Sequence, residues 1–391
     1  MKSLRVGFIP LIDAAIPIAA VECGFAEREG LEIALIREAS RANIRDKLVH
    51  GLFDASHMLA PLAVATSLGI GNAGVALAVP FGLNANGNCI TLASRLYRSL
   101  EEVLGHPPQG PRQAAQALKR VIDRRKASGE PPISFGVVFP FSVHAIIVRH
   151  WLRLGGIDPY NDVQFQVVPP PFMVANLSEG VIEGCCVGEP WNSRAVESGV
   201  GSIVVFGTEI SRAAPDKVLA LRDETVSQDM DAIHRLLRTY RLAAHWCQDP
   251  GNHPNLAHML AQPQYLNVAP KTVMNALSGT LAISRTQTRT MTDFLSFEGD
   301  DINRPDPRKA RWLYAEIATG LHSPLAETQA RAAAAVFRPE IFDAATGNNA
   351  VPEAVDPIGL KFGPAFDSTD LQAYVDALTL DLGGRVPSAD R

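Results

Sequence analysis

Short, almost continuous apolar runs separated by helical patterns organise the first two hundred residues. "LRVGFIP" from Leu4 reads as a buried strand, "AAIPIAAVECGFAEREG" as a helix ending near Gly24 or Gly30, and "LEIALIRE" as a second strand. A helix "ANIRDKLVHG" follows, then strands "DASHMLAP" and "NAGVALAVP". Strands that lack polar alternation and are spaced by helices predict a parallel sheet covered on both faces.

A Pro- and Gly-rich stretch, "RSLEEVLGHPPQGPR", reads as a break, followed by a basic helix "QAAQALKRVIDRRKASGEPP". Alternation resumes with strand "ISFGVVFP", helix "FSVHAIIVRHWLRLGG", strand "VQFQVVPPP", short helix "FMVANLSEG", and strands "IEGCCVGEP" and "SIVVFGTEI". "DKVLALR" is placed to return the chain to the first lobe, and amphipathic helix dominates after Asp223. Two α/β halves joined twice predict a hinged clamp with a helical C-terminal extension. Lobe 1 takes residues 1–97 and 218–391, and lobe 2 takes 98–217. Ligands of such open α/β sheets sit outside the strand C-termini, which here face one cleft.

Composition narrows the function. Of 391 residues, 47% are hydrophobic and 20% charged, ordinary values for a globular chain. A net charge of −5 argues against direct nucleic-acid binding, which needs a basic stripe. The five cysteines form no CxxC spacing, so free thiols in a reducing compartment are expected. Lys2 and Arg5 precede "VGFIPLI", but Pro10 and Asp13 interrupt any secretory apolar core. No run approaches the roughly 18–20 apolar residues of a membrane span. The expectation is a cytoplasmic protein without membrane insertion.

Enzyme motifs are missing: there is no GxGxxG after a strand, no GxxxxGK[ST] and no GxSxG. His144 and His150 share one helix without the HExxH spacing of a zinc site, and read as one cleft and one surface residue. Glu189 in "VGEPWN" is open to two readings, a general base or a turn and hinge contact. Neither an enzyme nor a metal or other cofactor is expected.

An anion site is better supported. Lys217, at the return to lobe 1, is either a surface charge or a point charge for an anion in the cleft. His144 falls in the first turn of a helix, where backbone N–H groups attract anions. Asn88 of "NANGN" supplies an amide, and Gly188 of "VGEPWN" a bare backbone. Charge-assisted hydrogen bonds contribute about 1.5–3 kcal/mol each, so three or four suffice for micromolar affinity.

Six stretches together carry a resemblance: "REASRANIRDKL", "DASHMLAPLAVATSLG", "NANGNCIT", "GVVFPFSVHAIIVRHWLRLGGIDP", "VVPPPFMVANLSEGVIEGCCVGEPWN" and "DKVLALR". They resemble the nitrate/bicarbonate-binding proteins of ABC transporters, and within that family the NasS-type cytoplasmic nitrate/nitrite sensors. The resemblance runs from about residue 4 to beyond 220 and continues more weakly in "AAAAVFRPEIFDAA". It implies a type II periplasmic-binding-protein fold. It also implies a nitrate pocket in which the family's His, Gly and Lys fall on His144, Gly188 and Lys217. The family's Gln falls on Asn88 and its Trp on Arg41 of "REASRANIRD", two departures. Arg41 either offers a planar guanidinium to an oxyanion or turns outward and pairs with Glu38. The resemblance further implies a NasT-type antiterminator partner, held without ligand and released when nitrate or nitrite binds.

Overall fold

The computed structural model describes residues 1–71, 74–212, 214–347 and 358–380. The first two residues of "NAGVALAVP" lie outside them, and its strand runs Leu77–Asn86. Two sheets form two lobes. The first has six strands in the order 295–296, 77–86, 215–222, 55–59, 2–8, 31–37. The second has five, in the order 163–167, 133–137, 184–188, 88–93, 201–206. This is the expected α/β two-lobed clamp.

The sheets are mixed, where a parallel arrangement was expected. Strand Lys2–Phe8 runs parallel to 31–37 and to 55–59. Strand Pro215–Arg222 lies antiparallel between 55–59 and 77–86, and Asn88–Ala93 lies antiparallel between 184–188 and 201–206. These two strands arrive from the opposite lobe, and the short strand 295–296 at the edge is antiparallel to 77–86 as well. Continuous apolar runs signal burial on both faces but carry no direction, so the reversal was invisible to the pattern. The same strands locate the crossings. One falls at Gly87, whose φ of 86° turns strand 77–86 into 88–93. The other lies between Phe206 and Pro215. The first crossing thus precedes the boundary expected at 97.

"RSLEEVL" is helical rather than a break: helix Ser94–Leu104 buries Leu96, Leu100 and Val103 and ends at Gly105, φ 79°. The Pro/Gly-rich interruption shrinks to the few residues before helix Gly110–Ala127. Among the C-terminal helices, Pro307–Gly320 packs against helix Ala60–Ser67 of the first lobe. It also reaches the second lobe, where Glu316 lies 3.0 Å from His150 Nε2. Tyr374 donates to the same carboxylate at 2.5 Å. No helix among the described residues is long and apolar enough to cross a membrane.

Candidate functional site

Strand Pro215–Arg222 is interior to its sheet, and its residue Lys217 is fully buried. Its backbone N–H donates to Asn84 Oδ1 at 3.2 Å, which fixes it against strand 77–86. The ammonium meets two carboxylates, Asp13 Oδ2 at 2.7 Å and Asp216 Oδ2. Lys217 is therefore neither the surface charge nor the free point charge of the two sequence readings. Two of its three donors are already committed.

Asp13 stands in the short 3₁₀ turn Ile12–Ala14 that ends the first βα connection. Its other oxygen lies 2.9 Å from His57 Nε2, and His57 Nδ1 accepts from the Ile9 backbone at 3.5 Å. Acceptance at Nδ1 puts the imidazole proton on Nε2, facing the carboxylate. Burial would push Asp13 upward, but Lys217 and His57 more than reverse it, and it sits far below the usual carboxylate range. Asp216 is shifted the same way, with burial again outweighed by Lys217 and His144.

Arg41 opens helix Arg41–Val49, whose N-cap Ser40 accepts from the Asn43 backbone at 3.1 Å. A cation at a helix N-terminus opposes the helix dipole, so helix stability does not account for it. The side chain turns inward and is 1% exposed, and Nε, Nη1 and Nη2 all lack a partner. Pairing with Glu38 is ruled out, because that carboxylate is taken by Lys47 and by Asn43 Nδ2 at 3.1 Å. The charges that Arg41 senses are Asp13 and Asp216.

Lobe 2 closes the site. Asn88 begins its strand directly after Gly87, and its Nδ2 donates to Asp216 Oδ2 at 3.0 Å. Because a carboxylate only accepts, the amide is fixed with Oδ1 free, and that oxygen has no partner. His144 is the second residue of helix Val143–Leu154, behind the N-cap Ser142, which accepts from Ala145 N at 3.1 Å. Both ring nitrogens are buried without a partner, and Nδ1 lies 4.0 Å from Asp216 Oδ1. Burial pushes His144 down to about 3, and the nearby Lys217 and Arg41 help against the two carboxylates. At Gly188, a Cβ would lie 3.4 Å from Asp13 Oδ2 and 3.5 Å from Asn88 Oδ1, so bare backbone leaves that space open. Two hydrogen bonds hold the lobes shut beside it: Ile12 N to Glu189 O at 2.9 Å, and Trp191 Nε1 to Pro10 O at 3.2 Å.

All five residues singled out in the sequence thus converge: Arg41, Asn88, His144, Gly188 and Lys217. Three were missed: Asp13, His57 and Asp216. The one available signal was a lone carboxylate inside the apolar run "PLIDAAIP". His150 is not a surface residue but is buried against Glu316. Glu189 is buried too, and its Oε2 accepts from Ser193 N at 3.2 Å, which fits the turn reading. Among the described residues no group of three or more His, Cys, Asp or Glu is placed to hold a metal ion.

A family model described as the NMT1-like family matches residues 1–261. The bicarbonate transport ATP-binding protein CmpC of Synechococcus elongatus is 29% identical over 389 residues, covering 97% of this chain. That alignment takes in only 55% of CmpC, so the chain spans about half of that relative. The nitrate/nitrite binding protein NrtA of the same organism is 29% identical over 97% of this chain and 84% of its own length. The crystal structure of the periplasmic nitrate-binding protein NrtA from Synechocystis superposes with a TM-score of 0.87. It is 25% identical, over 97% of this chain and 98% of that one.

Proposed function

The chain belongs to the NMT1-like family, and on that premise we propose that it binds a small planar oxyanion, nitrate or nitrite, between its two lobes. The observation that carries this reading is Arg41: a buried guanidinium with three unpartnered nitrogens beside an equally unpartnered His144. Roughly nine in ten buried polar groups find a partner, and a planar fork of donors suits coplanar oxygens. Similarity to nitrate/nitrite binding proteins over nearly the whole chain nominates the anion. The fold is that of solute-binding proteins such as NrtA, which supports reading the site as one for binding.

The finer reading is a cytoplasmic sensor. Nitrate or nitrite stabilises the shut clamp, and a NasT-type antiterminator partner prefers the open one and is released. Such a ligand shifts the equilibrium only by its differential affinity for the two states, and a site assembled from both lobes supplies that difference. The second reading, a solute-binding component that delivers the anion to a permease, is favoured by the alignment with CmpC and NrtA. Cell fractionation separates the two.

Calorimetric titration with nitrate, nitrite, bicarbonate and sulfate tests the binding itself. The expected result is saturable micromolar binding of nitrate or nitrite, lost in Arg41→Ala while the fold persists. Silence toward nitrate and nitrite refutes the choice of anion, and silence toward all four refutes the site.

A further inference from the structure

Resting on the oxyanion reading of this site, the charge inventory around it leads one step further. Two cations, Arg41 and Lys217, face two carboxylates, Asp13 and Asp216, and all four are buried. Burial holds both His57 and His144 below the ordinary imidazole range, so each is neutral at pH 7. The cluster is therefore electrically balanced before any ligand arrives. A monoanion entering it would leave one uncompensated negative charge in a region closed to water, an arrangement proteins relieve by changing protonation.

We propose that the site takes up its anion together with one proton, and that the proton goes to His144. Each alternative in the cluster already has a partner on one of its atoms. Asp13 and Asp216 are tied to the Lys217 ammonium. His57 has Nδ1 on the Ile9 amide and Nε2 beside Asp13. His144 alone among these groups has both ring nitrogens without a partner. Once protonated, its Nδ1–H points at Asp216 Oδ1, now 4.0 Å away, and its Nε2–H is left for the anion.

Four charged groups face His144. Asp216 and Lys217 come from strand 215–222, Arg41 from helix 41–49, and Asp13 from the turn at 12–14. Arg41, Lys217 and the N-terminus of its own helix oppose the proton, while Asp216 and Asp13 favour it. Without ligand, burial and the cations win and the ring stays neutral. An anion in contact with the ring adds the missing favourable charge and tips the balance. Arg41 and His144 then have separate tasks: the first is the permanent anchor, the second the group that keeps the complex neutral.

The test is calorimetry of the full chain with sodium nitrate and sodium nitrite, gluconate being the only other anion. Titrations at one pH in bis-Tris gluconate and in imidazole gluconate, cationic buffers whose ionisation enthalpies differ, report the protons taken up. The expected values are between one half and one proton per anion near pH 6, and a Kd that tightens by up to about tenfold per pH unit between pH 8 and 5.5. His144→Gln should bind more weakly, with no proton uptake and no pH slope. Nitrate or nitrite binding without proton uptake and with a flat Kd overturns the proposal while leaving the oxyanion reading intact. So does a His144→Gln protein that keeps the slope. Absence of binding at every pH overturns both.

Discussion

Replacing Lys217 by methionine should unfold more than it should unbind. The ammonium is fully buried between Asp13 and Asp216, so the change leaves two buried carboxylates with only Arg41 to balance them. Removing one partner of a buried ion pair costs about 3–5 kcal/mol, because the remaining charge is stranded. Unfolding entropy of about 2.1 cal/mol/K per residue, over 391 residues, is roughly 0.8 kcal/mol per degree. A loss of about 4 kcal/mol is then a fall of about 5 °C in Tm, if the chain melts as one unit. The sign of the pH dependence is diagnostic. In the native protein the two carboxylates are held below their unfolded values. Their contribution is present above the unfolded pKa of about 3.9 and is lost as pH falls through the folded values. Without Lys217, burial raises at least one of them above its unfolded value, and that stability reappears as pH falls. Lys217→Met should therefore recover part of its deficit between pH 7 and pH 5, where the wild type gains nothing from these groups. Arg41→Met is the control: Arg41 donates no hydrogen bond, so relief of its buried donors offsets the lost attraction, and stability should stay within about 1 kcal/mol. Urea denaturation followed by tryptophan fluorescence reads both lobes through Trp151, Trp191, Trp246 and Trp312. A Lys217→Met protein as stable as the wild type, or one that loses further stability on acidification, would refute the buried-pair account.

Two further outcomes follow from the same geometry. Gly188→Ala should leave Tm nearly unchanged, since its Cβ meets Asp13 Oδ2 and Asn88 Oδ1 at ordinary contact distance, and should weaken anion binding roughly tenfold or more by filling the space beside them; undiminished affinity by calorimetry would move the ligand elsewhere. Glu189 has its pKa pushed up to about 7 by burial, from an ordinary 4.5. A raised folded value means its contribution is full below pH 4.5 and lost as pH rises through 7, so Glu189→Gln should be more stable than wild type at pH 8 by up to about 3 kcal/mol and indistinguishable at pH 4.5. Thermal melts across that range check it, and a pH-independent difference counts against a strained carboxylate.

Burial was legible in the sequence, and direction was not. The apolar runs at 4–10, 133–140 and 184–190 each became a largely buried strand, because a run without alternation fits a sheet covered on both faces, whereas 31–37 is an edge strand that buries Leu31 and Ile33 and exposes Glu32 and Ala34. The antiparallel entry of 88–93 and 215–222 depends on which lobe the chain has just left. Helix 94–104 was lost for a different reason. Its buried Leu96, Leu100 and Val103 have helical spacing, but the Pro and Gly that follow Gly105 drew the whole stretch into a loop.

The site shows the same division more sharply. Lys217, His144, Asn88, Gly188 and Arg41 were each readable as single donors or as bare backbone, because donor capacity belongs to a residue type. Asp216 was not, although it adjoins Lys217. In a regular strand neighbours point to opposite faces, so a carboxylate next to the key lysine would belong to the far side of the sheet. Pairing with strand 77–86 shifts register between Pro215 and Lys217 and again between Lys217 and Val218. An irregularity of that kind re-aims side chains, and here both residues are buried with the ammonium on its own neighbour's carboxylate. Asp13 and His57 join through separate elements. Net charge is a sum over all of them, and no stretch of sequence contains the sum. That is why the sequence shows Arg41 only as a donor for an oxyanion or as a partner of Glu38. With Asp13 and Asp216 in place, its charge brings the cluster to neutrality, and the affinity of any anion rests on the unspent donors of Arg41 and the open nitrogens of His144.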